Sequence, residues 1–113
     1  MKINQIAIQT GQPRGTFPSG AGDHRRAAQR AKAHGQTLNL TEAERAACIG
    51  TYTQSKRMNQ IFGKGTWEVD HTVPFALGGL HHPSNLQIVP TGWNKEKRNN
   101  HSHRWEIPYE AAI

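Results

Sequence analysis

Asp70 and His71 stand side by side at the end of the run WEVDH, and Asn94 and Lys97 stand three residues apart in GWNKEK. Hydrolysis of a phosphodiester needs a cation to neutralise charge developing on phosphate, and a base to take a proton from water. An Asp carboxylate and an Asn carbonyl are hard oxygen ligands that favour Mg²⁺ or Mn²⁺ over Zn²⁺. Histidine, with an ordinary pKa of about 6.5, is suited to taking a proton near neutrality. Alone, an Asp-His pair reads first as a surface turn.

These groups need elements to hold them. The alternating run at 67–71 predicts a short strand, residues 86–89 (LQIV) predict another, and Thr91 is placed to cap a helix running to about Asn100. Between the strands lies TVPFALGGLHHPSN, a long loop marked by Pro74, Gly78, Gly79 and Pro83. Loops of this length inside a small domain are usually functional. Two strands, an elaborate loop and a helix make a ββα unit. Strict alternation points Asp70 and His71 to opposite faces, so the strand end must distort if both serve one site. Upstream, Thr41 and Glu44 have the spacing of a capping box, and Ala46, Ile49 and Tyr52 recur at helical spacing before Gly63 and Gly65. A supporting helix is expected at 41–61.

The run VDHTVPFALGGLHHPSNLQIVPTGWNKEKRN resembles the HNH endonuclease motif. The matching positions are Asp70-His71, Pro74, Gly79, His81, Asn85-Leu86-Gln87, Asn94, Lys97 and Asn99, and the likeness to small phage-type HNH nucleases covers roughly residues 41–100. It implies an α+β fold with a ββα-metal hairpin-plus-helix unit, preceded by a supporting helix and a basic N-terminal arm. It implies a DNA endonuclease, of a phage homing or packaging-associated kind, that leaves 5′-phosphate and 3′-hydroxyl ends. By position, His71 is implied as the general base. Asp70 and Asn94 are implied as protein ligands of one Mg²⁺ or Mn²⁺ ion, with Asn94 where many members carry His. Asn85 is implied as a catalytic-site brace whose side chain binds loop backbone and orients His71. The paired cysteines that brace some HNH proteins through zinc are missing, so packing must hold the hairpin.

The bulk properties agree with a DNA partner. The 113 residues suit one domain, read as a nuclease domain at 41–113 (motif 67–100) preceded by a basic arm and short helix at 1–40. Fourteen Lys and Arg against eight Asp and Glu give a net charge of +6, a footprint suited to nucleic acid or an acidic surface, and the resemblance implies double-stranded DNA as the partner. The cations cluster at Arg25, Arg26, Arg30 and Lys32, and again at Lys95, Lys97, Arg98 and Arg104. Arg25, Arg26, Arg30, Lys95, Lys97 and Arg98 are the expected phosphate contacts. Residues 11–22, rich in Gly and Pro, read as a linker, and Asp23 is placed to cap a helix to about His34 that has no wide apolar stripe. That helix reads equally as solvated or as phosphate-facing. Cys48, the only cysteine, reads as a small buried residue, and its being alone excludes an intrachain disulfide or a Cys-pair zinc site. His81 reads as a loop brace, His82 as exposed, and His24 and His34 carry no motif; Trp67, Trp93 and Trp105 read as packing residues. No run is apolar enough for a membrane span or a signal peptide, so a cytoplasmic location is expected. The competing expectations are a DNA-binding protein that retains an HNH fold without cutting, and a structural or RNA-binding basic protein.

Overall fold

The computed structural model describes residues 19–106; residues 11–18 of the linker expected at 11–22, and both termini, lie outside the described residues, while Ala21 and Gly22 are helical. The order of elements is helix α1 (Ala21–Ala33), helix α2 (Glu42–Phe62), strand β1 (Trp67–His71), strand β2 (Leu86–Pro90) and helix α3 (Thr91–Lys97). The described residues form a small α+β domain of three α-helices and one two-stranded antiparallel sheet. Among the described residues no helix is long and apolar enough to cross a membrane.

Local chemistry sets the ends of α2. Thr41 Oγ1 accepts from the Glu44 amide at 3.1 Å while Glu44 Oε1 accepts from the Thr41 amide at 2.8 Å, closing the expected capping box. Gly63, at φ +120°, ends the helix in a conformation that side chains resist. The buried face is Cys48, Tyr52 and Ser55, whereas Ala46 is exposed. The expected 46/49/52 stripe is therefore turned, because α2 packs on α1 and on the hairpin together.

The first helix departs further from expectation. It begins at Ala21 with Gly20 as its unassisted N-cap, and Asp23 lies in the first turn, paired with Arg26 and, at 3.3 Å, with Lys56 of α2. His24, Ala27 and Ala31 are buried, a narrow seam that an alanine-rich helix forms against a close neighbour. Gly20 sits directly on α2: a Cβ there would lie 2.3 Å from Tyr52 Cβ. The segment 21–33 is thus part of the packed body, with Arg25, Arg26, Arg30 and Lys32 on its exposed side.

Trp67 pairs with Pro90 and His71 with Leu86, so β2 runs one residue further than the LQIV run suggests. The loop 72–85 is folded by two short 3-10 turns, Phe75–Leu77 and Pro83–Asn85. At Gly79 a Cβ would meet the Val73 carbonyl oxygen at 1.7 Å, so this close crossing admits no side chain. Thr91 does not cap α3. It is the first helical residue, and its hydroxyl donates to the Gly65 carbonyl at 2.6 Å. The helix stops at Lys97, short of Asn100, because Arg98 takes φ +47°. Ala27, Cys48, Tyr52 and Leu86 form the core, with Leu40 and Val69 packed against it.

Candidate functional site

The end of β1 brings the Asp-His pair to a concave surface. Asp70 and His71 both line a hollow of about 270 Å³, so the two neighbours border one concave surface. Its other walls are Arg30 of α1 and His34 just past its end, Val69 of β1, Pro74, Phe75 and Ala76 from the loop, and Arg98 and Asn99 after α3. Two guanidinium groups from opposite ends of the chain thus border the Asp-His pair. Arg25, Arg26 and Lys95, the other expected phosphate contacts, are exposed outside this hollow.

Asn85 sits where it braces the loop. Its Oδ1 accepts from the Val73 amide at 2.9 Å, and its Nδ2 donates to the carbonyls of Val73 at 3.0 Å and Leu80 at 2.8 Å. Its own carbonyl accepts from Thr72 at 2.7 Å, next to His71. Gln36, unnoticed in the sequence, clamps the far side by donating to the Gly79 carbonyl at 2.8 Å and accepting from the His81 amide at 3.0 Å. His82, expected to be exposed, is half-buried and lies 2.6 Å from Glu44 Oε2.

Lys97 overturns its assignment as a phosphate contact. It is 1% exposed, and its Nζ lies 3.0 Å from Asp70 Oδ2 and 3.1 Å from the His71 carbonyl oxygen. A seven-residue helix packed along β1 turns this side chain inward. Gln87 Nε2 donates to the same carboxylate at 3.0 Å. Asn94 lies on the same seam but takes a different partner, its Nδ2 donating to Glu68 Oε2 at 3.2 Å. The structure therefore aligns Asp70 and Asn94 between β1 and α3 without joining them directly.

His71 heads a row of imidazoles. Its Nε2 lies 2.9 Å from His81 Nδ1, and His81 Nε2 lies 2.9 Å from His24 Nδ1. Burial first, then the positive fields of His81, Arg30 and Lys97, push His71 down to about 3. Burial and then His24, Arg30 and His82 push His81 down to about 4, and burial with Arg45 lowers His24. The sequence held no signal for this row, since His24 and His81 lie 57 residues apart. Cys48 Sγ and one ring nitrogen each of His24 and His81 lie within 4.8 Å of one another.

The row has a consequence for stability. An unfolded histidine gains its proton below about 6.5, whereas the folded rings resist it until about 4 or lower. The unfolded chain therefore binds more protons in that window, and stability falls as pH falls through it. Thermal melts of protein in chelator should drop steadily from pH 6.5 to about 4. His81→Asn, if folded, should flatten that slope. A flat profile in the wild type would contradict the buried, neutral row.

No protein-family model, curated protein or solved structure matches this chain.

Proposed function

We propose that the protein is a metal-dependent DNA endonuclease of the HNH type, with the hollow beside Asp70 and His71 as its active site and the β1–β2–α3 unit as a ββα-metal fold. The observation that carries this reading is the convergence of Arg30 and Arg98 on the Asp-His pair. Two guanidinium groups flanking a carboxylate and an imidazole suit a bound phosphodiester and a water to attack it.

For His71 to take a proton on Nδ1, its Nε2 must carry the hydrogen and donate to His81 Nδ1, and His81 must in turn donate from Nε2 to His24 Nδ1. His71 then accepts the proton of a water as its oxygen bonds to phosphorus. The bond from phosphorus to the 3′-oxygen breaks, and that oxygen leaves as a hydroxyl with a proton from solvent. Burial is the largest cause of the low His71 basicity, and an anionic phosphate in the hollow would offset the smaller part that comes from the positive fields of His81, Arg30 and Lys97. Arg30 and Arg98 balance charge on the non-bridging oxygens.

The residues along the β1–α3 seam fit a hard divalent cation. Asp70 and Glu68 supply carboxylates, and the Asn94 amide turns its nitrogen to Glu68, which leaves its oxygen without a hydrogen-bond partner among the described residues. A carboxylate has about four lone-pair positions, of which Lys97 and Gln87 take part. Asp70 and Asn94 would hold one Mg²⁺ or Mn²⁺, which when bound supplies charge neutralisation at the leaving oxygen.

One observation favours the alternative of a DNA-binding protein that does not cut: Lys97 already neutralises Asp70. Supercoiled plasmid separates the two. The nuclease reading expects relaxed or linear DNA in Mg²⁺ or Mn²⁺, none in chelator, and 5′-phosphate ends. Retardation of the plasmid without strand breaks supports the binder. Neither breaks nor retardation would discard both.

A further inference from the structure

We propose that His24, Cys48 and His81 form a second, buried metal site for a borderline-soft divalent transition ion, separate from the oxygen ligands of the β1–α3 seam. The three side chains come from α1, α2 and the hairpin loop, and they meet where these elements are pressed together. They are 7%, 0% and 1% exposed, and their ligand atoms lie within 4.8 Å of one another.

Four independent features suit an ion there. Two imidazoles and a thiolate match zinc and its neighbours and do not match Mg²⁺. The two facing nitrogens lie 2.9 Å apart, so bonds of about 2.0–2.1 Å in a tetrahedral array need a spread of only a few tenths of an ångström. A metal-bound imidazole commonly donates its other ring hydrogen to an acceptor, and His81 Nδ1 already faces His71 Nε2 at 2.9 Å. The core is also small, resting on Ala27, Cys48, Tyr52 and Leu86, and a domain with so little buried apolar surface gains from a staple across three elements.

The proton balance follows. Each imidazole offers an ion the lone pair of a ring nitrogen, and the Cys48 thiol gives up its proton as the ion takes its place. Binding thus releases one proton per ion, with thiolate, two imidazoles and one open position in the shell. Ligation through His81 Nε2 places the His81 proton on Nδ1, donated to His71, whose own proton then sits on its Nδ1. The loaded protein and the base step proposed above thus require opposite arrangements of one row.

The site itself does not rest on the nuclease reading, and its test uses no DNA. Full-length protein, stripped with chelator and dialysed, is titrated with Co²⁺ and then Zn²⁺. One equivalent of Co²⁺ should produce thiolate-to-metal absorption, which Cys48, the chain's only cysteine, must supply. Zn²⁺ should abolish that band with the same stoichiometry. Free Zn²⁺ about a hundredfold above its Kd should raise Tm by roughly 10 °C or more, reversed by chelator. Cys48→Ala should lose both the band and most of the Tm rise. Absence of the band in the wild type, or an equal Tm rise in Cys48→Ala, would overturn the site. The wild-type spectrum decides the matter even where the variant does not fold.

Discussion

Substituting His71 by Ala should cost at least about two orders of magnitude in the rate of DNA nicking, the usual scale for loss of a general base. The assay belongs in Mg²⁺ with zinc removed, so that the histidine row is free to leave Nδ1 of His71 unprotonated. DNA affinity should change little, because the cations around the hollow are Arg30 and Arg98, and further cations lie exposed on α1 and α3. The loss should therefore appear in the rate on saturating DNA and not in the concentration needed for saturation. His71 also contacts the Phe75 ring at 4.4 Å, so a melt must show that the variant is folded before its rate is read. Near-wild-type nicking by folded His71→Ala protein would end its assignment as the base. Arg98→Ala gives a contrasting signature: weaker binding and a shallower dependence of affinity on salt, by about one counterion for one lost phosphate contact.

How much of this was legible in the residues follows from the range of the interactions. The capping box of Thr41 and Glu44 spans three residues and is closed by two hydrogen bonds within one turn, so spacing alone reveals it. The strand WEVDH is similarly local, whereas the bracing of the long loop by Asn85 spans twelve residues and is pointed at by resemblance to a known motif. What was not legible depends on tertiary partners. In α1 the buried positions are two alanines and a histidine, which carry no apolar signal until α2 lies against them. For the same reason the division at residue 40 does not mark a packing boundary: Gln36 and His24 both reach the hairpin loop. A lysine three residues after Asn94 reads as a solvated or phosphate-facing cation, and only the approach of β1 turns it inward. The imidazole row needs three distant segments at once, and no periodicity encodes that. The resemblance to a known motif and the geometry therefore contribute separately: one suggests candidate residues, and the other shows that Lys97 is occupied and that Arg30 is brought to the hollow.

Lys97 supports the largest expected effect on stability. Its side chain is fully buried and that of Asp70 is 10% exposed, with the ion pair at 3.0 Å. Removing one partner of such a pair leaves the other charge buried and uncompensated, at a cost of about 3–5 kcal/mol. Lys97→Met should therefore lower Tm by more than about 10 °C in a domain of this size. The carboxylate keeps its bond from Gln87, and the His71 carbonyl loses its bond from Nζ, so part of the loss comes from the backbone contact. The double variant Lys97→Met/Asp70→Asn removes both charges and should recover a substantial share of the stability. A double variant as unstable as Lys97→Met would mean that the contact to His71, and not the ion pair, carries the effect. The same two proteins test the cation at Asp70 without any catalytic readout. In Lys97→Met the unpaired carboxylate is the better cation ligand, so millimolar Mg²⁺ or Mn²⁺ should restore part of the lost Tm. In the double variant, with an amide at position 70, the same ions should do nothing. Equal responses of the two variants to Mg²⁺ would remove Asp70 from the metal assignment, whatever the nicking assay shows.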